Sequence, residues 1–330
     1  MRPFDELCSA EHLERSARLA ARGKLRRRDV AWFWFRREAE LERMRVELLE
    51  QRWRPAPWDL LFIHDPKPRV IARAPFRDRV VHTALANLIE PRFERSYLPE
   101  DFACRRHMGT HRARVRLLEL VRRHRLAVHL DVRSYFPSID VDLLRGLLER
   151  RIDDERFLAV VSRVLEAGRG LNDSSRVRRH ARIAPDWPPP GRGLPIGALT
   201  SQLFAAHVYL LEFDHFVKRE LKVPGYVRYV DDIFCFGERR AELRAWRAAI
   251  GQWLEARRGL RLKRPDARVL SCGGHIDALG VRITRDGIEP LRRSFTRLRA
   301  QLARDARDPR VDTRAIEAAL RSRIGNLLFL

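Results

Sequence analysis

The sequence predicts an α+β fold, with helices and antiparallel strands in irregular alternation along 330 residues. Residues 141–151 carry leucines at helical spacing, which predicts an amphipathic helix. Residues 126–131 and 226–236 are short apolar runs with turn residues beside them, which is typical of strands. A hydrophobic content of 45% is sufficient for a full core. Together these patterns favour layers of helix packed on small sheets.

The same reasoning places each element in chain order. Helices are predicted over 5–22, 27–52, 76–95, 110–125, 141–151, 155–168, 200–222, 240–258 and 291–326. Strands are predicted over 60–75, as a hairpin turning at 65–68, over 126–131 and 226–236, and in short pieces near 268–285. Residues 171–193, rich in Arg and Pro, predict a mobile or inserted loop.

Two adjacent carboxylates interrupt the predicted strand region 226–236. Asp231 and Asp232 follow Tyr229-Val230 and precede Ile-Phe-Cys-Phe. Asp is depleted in strands, and an ionised carboxylate in apolar surroundings is disfavoured unless it is paired or binds a metal. An alternative is a hairpin turn with both side chains in water.

A third carboxylate, Asp131, ends the apolar run 126–130. Taken alone, Asp131 could equally be a helix N-cap or a strand-end turn. Three carboxylates at the ends of neighbouring strands can converge on one point, and Mg²⁺ takes oxygen ligands of this kind. Two such ions about 4 Å apart would clamp the attacking and leaving oxygens of a nucleotidyl transfer.

The charge balance indicates a polyanionic partner. Lys and Arg number 67 against 44 Asp and Glu, a formal net charge of +23. Such a field favours nucleic acid and predicts salt-dependent binding. The alternative is a solvated basic surface without a partner, which self-repulsion disfavours.

Cysteine spacing and hydropathy indicate the cellular compartment in which the protein works. The four cysteines form no C-x-x-C pair, which indicates reduced thiols and no zinc site or disulfide frame. The N-terminus lacks an apolar signal region, and no run of 18 apolar residues occurs. We therefore expect a soluble cytoplasmic protein with no membrane partner.

These residues resemble the conserved motifs of reverse transcriptases. Tyr-Val-Asp231-Asp232 resembles motif C, Asp131 with Phe136 resembles motif A, and 193–202 resembles motif B. Four further segments, in the order of the family, resemble its remaining motifs: 66–82, 101–111, 260–263 and 275–280. The resemblance covers roughly residues 60 to 287. It implies a right-hand polymerase fold with palm, fingers and a short helical thumb.

Motif B is similar to one subgroup of the family. Ile196 and Gln202 stand where most reverse transcriptases carry Gln and Pro, as in the reverse transcriptases of diversity-generating retroelements. That resemblance implies cDNA synthesis on a template-repeat RNA with errors opposite adenine. It also implies a small basic accessory protein as partner. The alternatives are a retron-like or phage-defence reverse transcriptase without adenine mutagenesis, and a non-catalytic RNA-binding scaffold.

The resemblance also assigns roles. Asp131, Asp231 and Asp232, with Val132, would bind two Mg²⁺ ions, for which Mn²⁺ could substitute. Lys67 and Arg69 would contact the dNTP triphosphate, unless they are ordinary solvated turn residues. The remaining substrate contacts are implied at Phe136, which would exclude a ribose 2′-OH, at Ile196, Gly197 and Gln202 beside the templating base pair, and at Lys263 as proton donor. Core packing for Phe136 and an exposed strand position for Lys263 are the alternatives.

The predicted domain organisation follows the motifs. Residues 1–55 are a helical N-terminal extension, 56–287 the interleaved fingers and palm, and 288–330 the helical thumb. Within the extension, Trp32-Phe-Trp-Phe35 is either core or a base-stacking platform, and we expect core. The 171–193 loop could contact RNA, although disorder is the expectation.

Overall fold

The computed structural model describes residues 2–64, 67–307, 316–317 and 320–321. It confirms a mixed α+β architecture with small sheets. The chain divides into two compact units. Unit 1 comprises Met1–Leu98, Val132–His215 and Gly251–Lys263, and unit 2 comprises Pro99–Asp131, Phe216–Ile250 and Arg264–Leu330. Each unit therefore draws on three separate stretches of sequence.

The helices in chain order are α1 Pro3–Leu7, α2 Ala10–Ala21, α3 Arg28–Phe35, α4 Arg37–Leu49, α5 Phe76–Glu94, α6 Thr110–Arg123, α7 Tyr135–Ser138, α8 Val141–Glu149, α9 Glu155–Gly168, α10 Ser175–Ala181, α11 Leu199–Leu203, α12 Leu211–His215, α13 Arg240–Arg258 and α14 Arg292–Asp305. The strands are β1 Asp59–Ile63, β2 Arg69–Arg73, β3 Leu126–Asp131, β4 Gly225–Tyr229, β5 Asp232–Gly237, β6 Val269–Ser271, β7 Ile276–Ala278, β8 Val281–Ile283 and β9 Ile288–Pro290.

The predicted helices over 76–95, 110–125, 141–151, 155–168 and 240–258 are confirmed as α5, α6, α8, α9 and α13. Side-chain caps explain where two of them begin. The Asp140 carboxylate accepts from the backbone N–H groups of Asp142 and Leu143, and Asp154 accepts from that of Phe157. Such caps satisfy donors that the first helical turn leaves unpaired.

Three predicted continuous helices are broken. Ser9 caps the start of α2, so 5–22 forms two helices. Arg36 leaves the helical conformation, with φ −106° and ψ 20°, and divides 27–52 into α3 and α4. The predicted helix 200–222 alternates α11 and α12 with two π-helical segments, Phe204–Val208 and Phe216–Glu220. A continuous α-helix, two helices with a short break between them and a helix with π-helical segments all show similar spacing of apolar residues. The spacing therefore does not reveal where these helices are interrupted.

The prediction of a disordered loop over 171–193 is wrong. This stretch contains a 3₁₀ turn at Leu171–Asp173 and helix α10. Trp187 is buried, and its indole N–H donates to Ser138 Oγ at 2.9 Å. His180 Nε2 donates to the Ile63 carbonyl of β1 at 2.9 Å. Buried aromatic area and specific hydrogen bonds outweigh the loop-like composition.

The expectation that the aromatic cluster of the N-terminal extension is core is wrong for two of its members. Phe33 is buried, but Trp32 is 55% exposed and Phe35 is 90% exposed. Four consecutive positions on a helix point around most of its circumference, so one packed face accommodates only part of such a run.

Unit 1 includes an antiparallel hairpin, from which Val70 and Ala72 are buried. β1 and β2 pair from Asp59 opposite Arg73 to Ile63 opposite Arg69, as the sequence predicts. Residues 65 and 66 of the predicted turn lie outside the described residues.

Unit 2 is built on a four-stranded antiparallel sheet in the order β4-β5-β3-β6. On one face, Phe234 and Phe236 of β5 join Leu117 and Leu120 of α6 in a buried cluster. A second sheet, in the order β7-β8-β9, contributes further apolar residues to the same cluster. This packing fixes the register of the strands, because a shift by one residue would turn the apolar side chains to the opposite face.

α14 begins the predicted C-terminal helical region, and most of 306–330 lies outside the described residues. Across the described part of the chain, none of the helices combines the length and apolar character needed to cross a membrane.

Candidate active site

A strained two-residue turn places Asp231 at the end of the β4–β5 hairpin. Tyr229 and Asp232 form the last pair of the ladder, so Val230 and Asp231 make the turn. Val230 has a φ of +58°. A β-branched residue in the left-handed region is an outlier, and tight hairpins normally place Gly, Asn or Asp there. Strain of this kind concentrates at functional sites.

Strand register brings a second and a third carboxylate to the same place. β3 pairs antiparallel with β5, and Asp131 stands directly opposite Asp232. Directly opposite residues present their side chains on the same face, with Cβ atoms about 5 Å apart. All three aspartates are half-buried. The three predicted carboxylates therefore lie within one hairpin and its neighbouring strand, all in unit 2.

His129 holds one of these carboxylates. Its Nε2 lies 2.7 Å from Asp232 Oδ1. The imidazole stacks on Phe234, with ring centroids 4.3 Å apart and planes inclined by 12°. Stacking fixes the plane of the ring, so the nitrogen meets the carboxylate at a defined angle. His129 thus orients Asp232 from the strand that carries Asp131.

A buried ion pair supports the strained turn. Arg228 and Asp101 are 2.9 Å apart, and both side chains are fully buried. Arg228 Nη1 also donates to the carbonyl oxygen of Val230 at 3.1 Å. The backbone of Arg228 is held as well, because its N–H donates to the Glu100 carbonyl and its own carbonyl accepts from Phe102. These contacts hold the carboxyl end of β4, where the turn begins.

The donor chemistry of the site fits Mg²⁺, which prefers carboxylate oxygens and keeps water or phosphate ligands. Asp131 and Asp231, with the second oxygen of Asp232, would hold the ion, because His129 occupies Asp232 Oδ1. Within the residues that the structure describes, no three His, Cys, Asp or Glu side chains are arranged as a preformed metal cage. A site of this kind would be completed by the phosphates of the substrate.

The predicted motif B segment lies in unit 1 beside the β1–β2 hairpin. The Ala72 N–H of β2 donates to the Ile196 carbonyl at 2.7 Å. Gly197 has a φ of +120°, and a Cβ there would lie 2.8 Å from the Ala72 carbonyl oxygen. Only glycine combines this backbone conformation with so close an approach.

Phe136 is half-buried, and its carbonyl accepts from the Leu194 N–H at 2.9 Å, two residues before Ile196. The segment that carries Phe136 thus lies alongside the segment that carries Ile196 and Gly197. The other predicted residues of unit 1 are Lys67, Arg69, Gln202 and Lys263, all exposed, and Val132, which is buried and bridges to Leu262.

A buried histidine supports the start of α11 in unit 1. His82 Nδ1 lies 2.7 Å from Thr200 Oγ1. Complete burial lowers the pKa of His82 from 6.5 to about 4, because the charged imidazolium loses its hydration. His82 is therefore neutral at pH 7, and the hydrogen bond links α5 to the segment that follows Gly197.

Sequence reasoning missed His129, Arg228 and Asp101. The two-residue period of a strand places His129 on the same face as Asp131, so that signal was present. The pairing of Arg228 with Asp101 joins residues 127 positions apart in the sequence and has no local signal.

Comparison with known proteins gives one distant similarity. Protein YkfC of Escherichia coli K12 is 28% identical to this chain over 188 residues, which cover 54% of the chain. The chain spans about 45% of the length of that relative. A search against models of protein families finds no match.

Proposed function

We propose that this chain is an RNA-directed DNA polymerase. The observation that carries the proposal is the placement of Asp131 opposite Asp232, with Asp231 in a strained turn beside them. Three carboxylates gathered on one edge of a sheet repel one another, and a bound cation would offset that repulsion. The resemblance of the motifs to reverse transcriptases, and the net charge of +23, support a polynucleotide substrate.

Asp131 and Asp231 would hold Mg²⁺ at this edge, and His129 restricts Asp232 to one orientation. When bound, the ion would supply charge neutralisation for the triphosphate and for the attacking 3′ oxygen. Arg228 keeps the turn in its strained conformation. Catalysis of phosphoryl transfer depends mainly on such positioning.

We further propose that the unit 2 sheet belongs to the polymerase palm and that the β1–β2 hairpin belongs to the fingers. Lys67 lies in the predicted turn and Arg69 begins β2; both are exposed, and exposed cations suit a triphosphate. Phe136 would restrict the ribose pocket to dNTPs. Lys263 would protonate the leaving pyrophosphate. The proposed partners are template RNA, the cDNA product, dNTPs and a small basic accessory protein.

Primer extension on an RNA template tests the proposal. We expect Mg²⁺-dependent incorporation of dNTPs by the wild type and a loss of at least a thousandfold in Asp231→Asn. Asp266→Asn is the matched control, because Asp266 is an exposed carboxylate of the same unit. RNA binding without incorporation by the wild type would favour the non-catalytic scaffold instead.

The subgroup is tested by the error spectrum. Ile196 and Gln202 are proposed to loosen base-pair checking, as in diversity-generating retroelements. We expect frequent errors opposite template adenine in the wild-type cDNA and fewer in Ile196→Gln. An even spectrum in the wild type would favour a retron-like or phage-defence reverse transcriptase. Errors at adenine that persist in Ile196→Gln would reject the role of Ile196.

A further inference from the structure

Two aromatic side chains of α3 are exposed on the surface of unit 1. Trp32 is 55% exposed and Phe35 is 90% exposed. They are three residues apart on a helix and lie close to the same side. Phe33 anchors the helix, because it is buried and meets Phe76 edge to face at 4.9 Å. Exposure of Trp32 and Phe35 leaves large apolar surfaces in water, which typically marks a binding surface.

Basic residues surround these rings. The segment 22–28, which ends on the first residue of α3, carries five Lys or Arg side chains with no acidic residue. Arg36 places its guanidinium 5.3 Å from the centre of the Trp32 ring. Among the described residues, neither Arg28 nor Arg36 has an ion-pair partner within 4 Å. The charge is therefore available to an external anion.

A groove of about 860 Å³ adjoins the same face. Trp32 lines it together with Phe33 and Phe76. Two carboxylates, Asp29 and Glu40, also line the groove. Its five arginines are Arg27, Arg28, Arg43, Arg73 and Arg77. The lining residues carry a formal charge of +3, which falls to +1 when Glu47 and Asp59, the partners of lining arginines, are counted.

Carboxylates hold four of the five arginines in place. Arg27 pairs with Asp29 at 3.4 Å, and Arg43 with Glu47 at 3.1 Å. Arg77 pairs with Glu47 at 2.8 Å, and Arg73 with Asp59. Over the described ranges of the chain, Arg28 is the lining arginine without such a partner, so its charge is open to a phosphate.

The exposed aromatic rings and the arginines together indicate which ligand this surface binds. Flat, exposed aromatic rings stack on unpaired bases, and arginines neutralise the phosphates between them. A base-paired duplex hides the faces of its bases, so it would not use Trp32 and Phe35. The net positive lining disfavours a second copy of this chain, which carries +23 itself.

We infer that α3 and the groove beside it bind single-stranded RNA. Trp32 and Phe35 stack on successive bases, and Arg28 and Arg36 contact the flanking phosphates. The choice of RNA over DNA rests on the proposed function, in which the template is RNA. The binding surface itself lies in unit 1 and uses none of the three aspartates.

Fluorescence anisotropy with a labelled, unstructured 20-nucleotide RNA tests this inference. The full chain carrying Asp231→Asn is titrated in EDTA without dNTPs, so that polymerase activity does not enter. We expect Trp32→Ala combined with Phe35→Ala to raise the Kd at least tenfold. Leu19→Ala is the matched control, because Leu19 is 47% exposed on the neighbouring α2. Its Kd should stay within twofold of the parent chain.

A conservative pair, Trp32→Tyr with Phe35→Tyr, retains stacking and should restore the Kd to within threefold. A double alanine variant whose Kd stays within twofold of the parent chain overturns the inference. An equal loss of affinity for a DNA of the same sequence overturns the assignment to RNA, and an equal loss for an RNA duplex overturns single-strand recognition.

Sedimentation should give one molar mass for all variants. If the double alanine variant alone loses self-association while its RNA affinity is unchanged, the surface is an interface between two copies of this chain.

Failure of this inference can be told apart from failure of the polymerase proposal. Binding that depends on Trp32 and Phe35 in a chain without incorporation would leave the inference intact. If the wild type incorporates dNTPs but its RNA affinity does not depend on Trp32 or Phe35, the inference is wrong and the polymerase proposal stands.

Discussion

Arg228 and Asp101 form a fully buried ion pair, with 2.9 Å between Nη2 and Oδ2, directly behind the turn that carries Asp231. We expect Arg228→Met to lower the free energy of unfolding by about 3–5 kcal/mol, because Asp101 would remain buried without its partner. Urea denaturation measures this change. The double variant Arg228→Met with Asp101→Leu should recover much of the loss.

Activity should not recover in that double variant. Arg228 also donates to the Val230 carbonyl, and an apolar pair would not replace this bond. A stable double variant with wild-type incorporation would contradict the role of Arg228 in holding the turn. A single variant that loses less than about 1 kcal/mol would contradict the energetic account.

His129 is expected to tune the carboxylate site without contacting substrate. His129→Leu removes the bond to Asp232 Oδ1 but keeps an apolar side chain beside Phe234. Groups that orient metal ligands typically contribute about 10–100-fold to metal affinity or activity. We expect a weaker apparent affinity for Mg²⁺ in primer extension and an unchanged KM for primer–template. His129→Gln should restore part of the affinity. Equal losses in both variants, or a changed KM alone, would argue for a general packing role.

Gly197→Ala should disrupt the contact between the 193–202 segment and β2. The new Cβ would lie 2.8 Å from the Ala72 carbonyl oxygen, at a φ of +120°. We expect a loss of roughly 2 kcal/mol or more of unfolding free energy, since strain and steric overlap add. Gly146→Ala is the control, because its Cβ would meet no atom within 4 Å and Gly146 lies in α8. That control should gain about 0.5–1 kcal/mol. Equal stability of the two variants would contradict this packing.

The burial of His82 predicts a pH dependence of stability. Its pKa is lowered to about 4 in the folded chain, against 6.5 when exposed. Between these values the unfolded chain binds more protons, so stability is full above pH 6.5 and falls as the pH drops toward 4. The contribution is roughly 3 kcal/mol, at about 1.4 kcal/mol for each pH unit. Urea denaturation of wild type and His82→Gln at pH 7.5 and 4.5 measures it. The same pH effect in both proteins would contradict the assignment.

Local sequence patterns predicted those parts of the fold that depend on local chemistry. The apolar stripes of α6, α8 and α9 and the strand segments around Asp131 and Asp231 follow from residue spacing alone. The α+β class follows from the order of these elements. The adjacency of the three aspartates required only that two strands pair in one register, which the apolar face enforces.

The remaining features depend on interactions between distant residues. The pairing of Arg228 with Asp101 and the burial of Trp187 arise only after the chain has folded. Composition suggested disorder at 171–193, although Trp187 and His180 hold that stretch in place. A run of four aromatic residues suggested core, but one buried face of α3 accommodates Phe33 and leaves Trp32 and Phe35 outside.

The most direct test of the account counts metal ions at the three aspartates. Electron paramagnetic resonance can follow the binding of Mn²⁺ to a complex of the chain with RNA template, a dideoxy-terminated DNA primer and the next dNTP. We expect two Mn²⁺ ions for each wild-type complex, and at least tenfold weaker binding when Asp131→Asn is combined with Asp231→Asn. Asp266→Asn should behave as wild type. Identical Mn²⁺ binding by the wild type and the double asparagine variant would contradict the account.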